Sequence, residues 1–319
     1  VGAKLVIAGD LSVGELVAFN LLAGRVSGPV LRLAQIWQDF HQARLSIARL
    51  GDILNTTPEP SYNPNRTALP AIRGDISFEH VTFRYRIDGP EILRNVNLTI
   101  PAGQMIGVVG PSGSGKSTLA KLAQRLYVPE TGRVLIDGVD VAQIDPSWLR
   151  RQIGVVLQED MLFNRSVRDN IALADPTMTM EQIMRAATLA GAHDFILQLP
   201  EGYDTQVGER GCSLSGGQRQ RIAIARALAT DPRILILDDA TSSVDSETEH
   251  RIQQALERVM QGRTTFVIAH RLSTVQRADL ILVLEKGRIV ARGQHADLLK
   301  SSPLYASICQ QQLKGQGRA

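Results

Sequence analysis

Hydrophobic residues recur every three to four positions near the start of the chain. They are Leu16, Phe19, Ala23, Val30, Leu33, Trp37 and Phe40. This period predicts one amphipathic helix over residues 13–54, bent at Gly28 and Pro29. About 42 residues at ~1.5 Å each span roughly 60 Å, twice the core of a bilayer. Because Arg25 and Arg32 interrupt the most apolar stretch, the pattern alone leaves open a membrane-crossing helix or a soluble helical hairpin.

After residue 54 the pattern becomes that of an α/β domain. Residues 55–70 are rich in Pro, Asn and Thr and predict a linker. The strand-like runs that follow are 76–83, 92–100, 105–109, 134–137, 234–237 and 265–268. The last two are continuously apolar, which is typical of a parallel sheet covered on both faces. A helix-like run at 181–199 predicts an α-rich insertion between residue 158 and the strand at 234–237.

Composition describes an ordinary globular protein. With 319 residues, of which 44% are apolar and 21% charged, the chain is long enough for about two domains. A net charge of +3 is too small to indicate a nucleic-acid partner. Cys212 and Cys309 lack metal-ligand spacing, which favours a reducing, cytosolic setting over a disulfide. Because the chain begins at Val1 and in the middle of a pattern, we expect it to be a fragment of a longer protein.

A glycine-rich turn between a strand-like run and a helical run carries the strongest chemical signal. It fits the phosphate-loop pattern G-x-x-x-x-G-K-[ST] and consists of Gly110, Pro111, Ser112, Gly113, Ser114, Gly115, Lys116, Ser117 and Thr118. The glycines let successive backbone N–H groups face one anion, and the next helix presents the positive end of its dipole. Lys116 would reach the β- and γ-phosphates, and Ser117 would ligate Mg²⁺. The sequence therefore predicts a nucleoside triphosphate site.

Two further segments carry groups that suit such a site. Asp238 and Asp239 end the strand at 234–237, where ligands bind in open α/β sheets. We expect Asp238 to hold Mg²⁺ and Asp239 to polarise the attacking water. A second helix begins at the run Ser215, Gly216, Gly217 and Gln218. Ser215 could cap this helix, and the two glycines leave N-terminal amides open to a second phosphate contact.

These motifs together resemble the ATP-binding cassette (ABC) family, whose signature is the sequence LSGGQ found here at residues 214–218. The resemblance implies roles for four further residues. Tyr85 matches the aromatic residue that stacks on adenine, and Gln158 matches the glutamine that senses Mg²⁺ and the attacking water. Asp245 matches the loop that meets the partner subunit, and His270 matches the histidine that contacts the γ-phosphate.

The leading residues narrow the resemblance further. Segments 9–14, 18–24 and 29–40 are similar to the last transmembrane helix of RTX toxin exporters, the inner-membrane ABC component of bacterial type I secretion, to which the α-haemolysin exporter belongs. The resemblance implies a helix that spans the bacterial inner membrane, a multi-pass full-length protein and a cytoplasmic cassette. It implies as partners a second ABC subunit, a membrane-fusion adaptor, an outer-membrane channel and an exported polypeptide, and no nucleic acid.

The expected fold is therefore an α/β P-loop NTPase domain of the ABC type, with a mixed sheet core and an α-helical subdomain, preceded by a long transmembrane or coupling helix. We expect the end of the transmembrane domain at 1–57, a linker at 58–72 and the nucleotide-binding domain at 73–315, with its helical subdomain at about 159–228. The expected cofactors are ATP and Mg²⁺, and the expected reaction is ATP hydrolysis coupled to transport.

Two places depart from the family's usual pattern. Asp239 stands where glutamate is usual, and Ser243 and Val244 stand where alanine and leucine are usual. An aspartate at the first position is often carried by the slower site of asymmetric, two-gene exporters. The sequence leaves open a heterodimer, a slow homodimer and a non-hydrolysing regulatory cassette. It also leaves open a peptide, lipid or drug exporter, or a soluble ABC ATPase of repair or translation.

Overall fold

The computed structural model describes residues 1–56, 59, 71–157, 161–238, 254–268 and 272–316. The chain divides into two compact units, residues 1–62 and residues 63–319. The boundary falls inside the predicted linker, most of which lies outside the described residues.

The first unit consists of two helices, α1 (Gly2–Ile7) and α2 (Val13–Leu54). A capping box starts α2: Ser12 Oγ accepts the Glu15 amide at 3.2 Å, and Glu15 Oε2 accepts the Ser12 amide at 2.8 Å. The helix continues through Pro29, and none of its residues is buried. It is 42 residues long and, by length and composition, apolar enough to cross a membrane.

The second unit contains two sheets in its described part. An antiparallel sheet has the order β2–β1–β4–β5, formed by β1 (Ile76–Phe83), β2 (Leu93–Ile100), β4 (Thr131–Ile136) and β5 (Val139–Asp140). A central sheet has the order β10–β9–β3–β8–β7–β6, formed by β3 (Met105–Val109), β6 (Ile153–Val156), β7 (Ile234–Asp238), β8 (Thr264–Ile268), β9 (Leu280–Glu285) and β10 (Arg288–Gly293). Its strands pair in parallel except β10, which is antiparallel to β9.

Helices surround the central sheet. They are α3 (Lys116–Ala123), α4 (Pro146–Arg151), α5 (Val167–Ile171), α6 (Met180–Leu189), α7 (His193–Leu197), α8 (Gly216–Leu228), α9 (residues 254–260), α10 (Leu272–Val275), α11 (His295–Ser301) and α12 (Pro303–Gln316). The helix-like run at 181–199 becomes two helices, because Gly191 adopts a left-handed φ of +65° between α6 and α7.

Alternate residues of the central strands enter two different hydrophobic cores. In β7, Ile234 and Ile236 join the core shared with the antiparallel sheet, while Leu235 and Leu237 join the core shared with α5, α6 and α8. All four are at most 1% exposed. The continuously apolar sequence of this strand follows from that two-sided burial. The predicted α/β fold, with its mixed sheets, helical region and leading helix, is confirmed.

Candidate nucleotide-binding site

The phosphate loop connects β3 to α3 at the carboxyl end of the central sheet. Gly115 is the residue before α3, with a φ of +103°. A Cβ on Gly115 would lie 2.7 Å from Leu93 Cδ2 and 3.0 Å from the Ile92 carbonyl oxygen. Only glycine fits both the left-handed backbone and this close approach. No side chain caps α3, so its first turn points backbone donors into the loop.

Lys116 is turned towards the loop's own backbone. Its Nζ donates to the carbonyl oxygens of Gly110 and Pro111, both at 2.9 Å, and the residue is only 8% exposed. Burial lowers the pKa of Lys116 below its ordinary value, and the opposite charge of Asp238 partly offsets this effect. Lys116 is thus a buried cation beside a loop that suits an anion, and phosphate oxygens could replace its two carbonyl partners.

Ser114 provides a direct test of whether the loop suits a phosphate. Its Oγ is buried and has no hydrogen-bond partner in the described part of the chain. Buried hydroxyls are normally hydrogen-bonded, so an unpaired one next to Lys116 marks a place for an external acceptor. The hydroxyl-bearing Ser117, by contrast, is exposed at the first turn of α3, where a metal ion can reach it. Both features fit a triphosphate with its cation.

Tyr85 lies beside the same helix. Its hydroxyl is 3.0 Å from Thr118 Oγ1, and Lys121 Nζ lies 5.6 Å from the centre of its ring. Phe83 and Tyr127 each contact this ring edge-on, at 5.0 Å between ring centres. Tyr85 is still 43% exposed, so an aromatic face remains available to a base. Tyr127 was missed in the sequence, because only the fold brings the segment after α3 back to β1.

The acidic end of the site is described only in part. Asp238 is the last residue of β7 and pairs with Ile268 of β8. Val156 of β6 pairs with Leu237, so the ends of three strands meet at one edge of the sheet. The residues that follow these strands in the sequence include Gln158, Asp239 and His270. These three, and Asp245, lie outside the described residues, and their predicted roles stay predictions.

The segment Ser215–Gln218, predicted to make a second phosphate contact, begins α8 with a capping box. Ser215 Oγ accepts the Gln218 amide at 3.3 Å, and Gln218 Oε1 accepts the Ser215 amide at 2.9 Å. The capping role expected of Ser215 is therefore confirmed. Gly216 is partly exposed and Gly217 is buried, and neither carries a side chain that would obstruct the helix end.

Arg226 connects this helix to the segment that follows residues 158–160, a connection that the sequence did not reveal. Its guanidinium donates to the carbonyl oxygens of Asn170 and Met161, both at 2.9 Å, and to Asn170 Oδ1 at 3.0 Å. Asn170 is fully buried and donates in turn to the carbonyl oxygens of Phe163 and Ser166. The C-terminal end of α8, where Arg226 lies, and residues 161–170 are thus held by one hydrogen-bond network.

Comparison with known proteins agrees with this geometry. Residues 93–242 match the family described as ABC transporter. The leukotoxin translocation ATP-binding protein LktB of Mannheimia haemolytica is 61% identical over 313 residues, which cover 98% of this chain and 44% of LktB. The exotoxin translocation ATP-binding protein PaxB of Pasteurella aerogenes is 62% identical over 300 residues, which cover 94% of this chain and 42% of PaxB. Residues 93–242 of this chain belong to the ABC transporter family.

A solved ABC exporter extends the match to the fold. The structure of a bacterial Atm1-family ABC exporter with ATP bound superposes with a TM-score of 0.77 at 40% identity, covering 97% of this chain and 57% of that exporter. The predicted resemblance to toxin exporters of the ABC family is confirmed, and the family match lies within the second unit. The chain spans less than half the length of LktB and PaxB.

Proposed function

We propose that this chain is the ATP-hydrolysing part of an ABC exporter that drives type I secretion of an RTX-toxin-like polypeptide across the bacterial inner membrane. The observation that carries this proposal is the 61% identity to LktB over 98% of the chain, which includes the leading helix as well as the cassette. In this proposal α2 crosses the membrane, and the full-length protein is multi-pass. The cassette lies in the cytoplasm and acts with a second ABC subunit, an adaptor, an outer-membrane channel and the polypeptide.

The residues around the phosphate loop suit Mg²⁺ as well as ATP. Ser117, Asp238 and Gln158 would offer oxygen ligands, which Mg²⁺ prefers. Among the described residues there is no group of three His, Cys, Asp or Glu side chains that could hold a metal ion. In the proposed site the cation would be bound by these protein oxygens together with the phosphates of the substrate, and its charge would neutralise the leaving group.

The protein groups have separate tasks in the proposed hydrolysis. Tyr85 would stack on adenine, and the backbone N–H groups of residues 110–118 would surround the phosphates with Lys116. Asp239 would orient and polarise the attacking water, and His270 would contact the γ-phosphate. The second subunit would cover that phosphate with Ser215–Gln218, while Asp245 meets the partner. Each site is complete only when two cassettes close on each other around ATP. Because the γ-phosphate would connect the two cassettes, its hydrolysis would release them.

A chimera tests the proposed cargo class. The part of LktB that matches this chain is replaced by this chain, and export of leukotoxin is measured in cells. We expect export by this chimera and none by the same chimera carrying Lys116→Ala. A second chimera carries the matching part of the Atm1-family exporter as a control, and it should not export. Equal export by both parent chimeras would mean that the cassette does not distinguish cargo, and would leave a peptide, lipid or drug exporter.

Asp239 favours a second candidate, the slower cassette of a heterodimeric exporter. Aspartate is one methylene shorter than glutamate, which moves the carboxylate by roughly 1 Å, and such a misplacement can cost on the order of 100-fold in rate. We expect Asp239→Glu to raise kcat at least severalfold, with ATP affinity changed less than about threefold, because Lys116 and Asp238 are untouched. An unchanged or lower kcat would identify Asp239 as a competent catalytic residue.

A further inference from the structure

A basic groove separates the outer edges of the two sheets. It is lined by Arg94–Asn97 of β2 and Arg288–Arg292 of β10 and has a volume of about 490 Å³. At one end the strands are joined, because the Arg94 amide donates to the Gly287 carbonyl oxygen at 2.8 Å. None of the nine lining residues belongs to the candidate nucleotide site. We propose that this groove binds an extended, acidic peptide segment of a partner protein.

The walls of the groove are sheet edges. In the described part of the chain, β2 is the outermost strand of the antiparallel sheet and β10 is the outermost strand of the central sheet. An outermost strand presents backbone N–H and C=O groups that no neighbouring strand takes up. Extended peptides bind such edges by adding a strand, with backbone hydrogen bonds supplying affinity. In the pairing of β10 with β9, Ile289 lies opposite Leu284 and Ala291 lies opposite Val283, so the intervening Val290 forms a bulge in β10.

The side chains of the groove select for negative charge. It contains three arginines and two asparagines, and no carboxylate is among its lining residues. Arg94 is partly neutralised, since its Nε lies 3.5 Å from Glu91 Oε2. Arg288 and Arg292 are exposed, and within the described ranges neither has a carboxylate within 4 Å. Exposed guanidinium groups along a strand edge fit carboxylates on alternate residues of a peptide.

Other anionic partners fit the groove less well. Single-stranded nucleic acid is usually bound with aromatic side chains on which bases stack, and no aromatic residue lines this groove. A membrane surface calls for several exposed apolar residues, and Val290 is the one large apolar lining residue that is strongly exposed, at 49%. An acidic peptide uses both the backbone edges and the arginines.

A binding experiment on the full chain in detergent tests the groove. The probe is a fluorescent peptide of six alternating Glu and Val residues, and binding is followed by fluorescence anisotropy. We expect the double variant Arg288→Glu, Arg292→Glu to weaken binding at least about tenfold, through like-charge repulsion. The control Arg258→Glu changes an exposed arginine outside the groove and should leave binding within about twofold. A peptide with Lys in place of Glu should not bind.

Backbone pairing is tested separately from charge. Proline at alternate positions of the Glu-Val peptide removes its N–H donors and should also abolish binding. Hydrogen exchange should slow at residues 94–97 and 288–292 when the original peptide is added. If the double variant loses its circular dichroism signal, the single variant Arg292→Gln and the exchange data decide the question.

Three results would overturn the inference. They are equal binding by wild type and the folded charge-reversal variants, equal binding of the proline peptide, or exchange protection elsewhere on the chain. Single-stranded RNA or anionic phosphatidylglycerol vesicles that bind more tightly, with the same dependence on Arg288 and Arg292, would assign the groove to nucleic acid or lipid instead. Because Lys116→Ala does not touch the groove, peptide binding should survive that substitution even if the proposed ATPase function fails.

Discussion

The helices α3 and α8 both begin at segments that we assign to the triphosphate, yet their N-termini are built differently. Gly115 precedes α3 in a left-handed conformation, and no side chain caps the helix. Ser215 and Gln218 close the start of α8 by two reciprocal hydrogen bonds. The first helix start needs a ligand or solvent to satisfy its donors, while the second is stable by itself. Truncation of a side chain in the first turn of α3 should therefore act mainly through the ligand, and truncation of the Ser215 cap of α8 should act through stability and turnover together.

Lys116→Ala, in the first turn of α3, is the substitution with the largest expected effect. Lys116→Ala removes the buried cation that now bonds two loop carbonyl oxygens. Hydrogen bonds to a charged group contribute about 1.5–3 kcal/mol each, so the loss of two phosphate contacts should weaken ATP binding at least about 100-fold. Isothermal titration calorimetry measures this directly. Lys300→Ala, at an exposed position of α11, is the matched control. Affinity at the wild-type level in the Lys116 variant would exclude this lysine from the site.

Gly115→Ala tests whether the open start of α3 depends on glycine. The new methyl group would lie too close to Leu93, and the alanine would have to adopt a left-handed backbone conformation. We therefore expect a loss of about 2–4 kcal/mol in the free energy of unfolding. Gly138→Ala is the control, since its φ is +80° but no atom lies within 4 Å of its added Cβ. It should cost only about 1–2 kcal/mol. Urea unfolding of both variants measures the difference. Equal losses of unfolding free energy would show that the Leu93 side chain moves away from the new methyl group without a measurable cost.

The pH dependence of ATP binding follows from the burial of Lys116. Burial lowers its pKa in the chain alone, and a bound triphosphate raises it. Binding then takes up a proton above the pKa of the free chain, so affinity is full below that pKa and falls as the pH rises through it. We expect a decrease of up to about tenfold per pH unit on the alkaline side. Titrations with a fluorescent ATP analogue should show it, and Lys116→Arg, which stays charged, should remove the slope.

The sequence predicts those parts of the fold and of the candidate site that depend on residues close together in the chain. The phosphate loop is recognisable because Gly115 and Lys116 act through their own backbone and side chain within one turn. The strand at 234–237 is recognisable because burial on both faces leaves a continuous apolar run. The contacts of Tyr127 with Tyr85 and of Arg226 with Asn170 join residues 42 and 56 positions apart, respectively, and such pairs depend on the completed fold. The groove between β2 and β10 was missed for the same reason.

Ser215→Ala has the smallest expected effect, and it tests the capped start of α8. Loss of the cap should lower the free energy of unfolding by about 1 kcal/mol. Thr179→Ala at the start of α6 is the matched control, because Thr179 and Gln182 form the same capping box there. Both variants should lose similar stability in urea. ATP turnover at equal folded fraction should fall only for Ser215→Ala, since its hydroxyl alone would contact the γ-phosphate across the dimer. Parallel losses of turnover would mean that Ser215 acts as a helix cap and nothing more, and the second phosphate contact would then have to come from the backbone amides of Gly216 and Gly217.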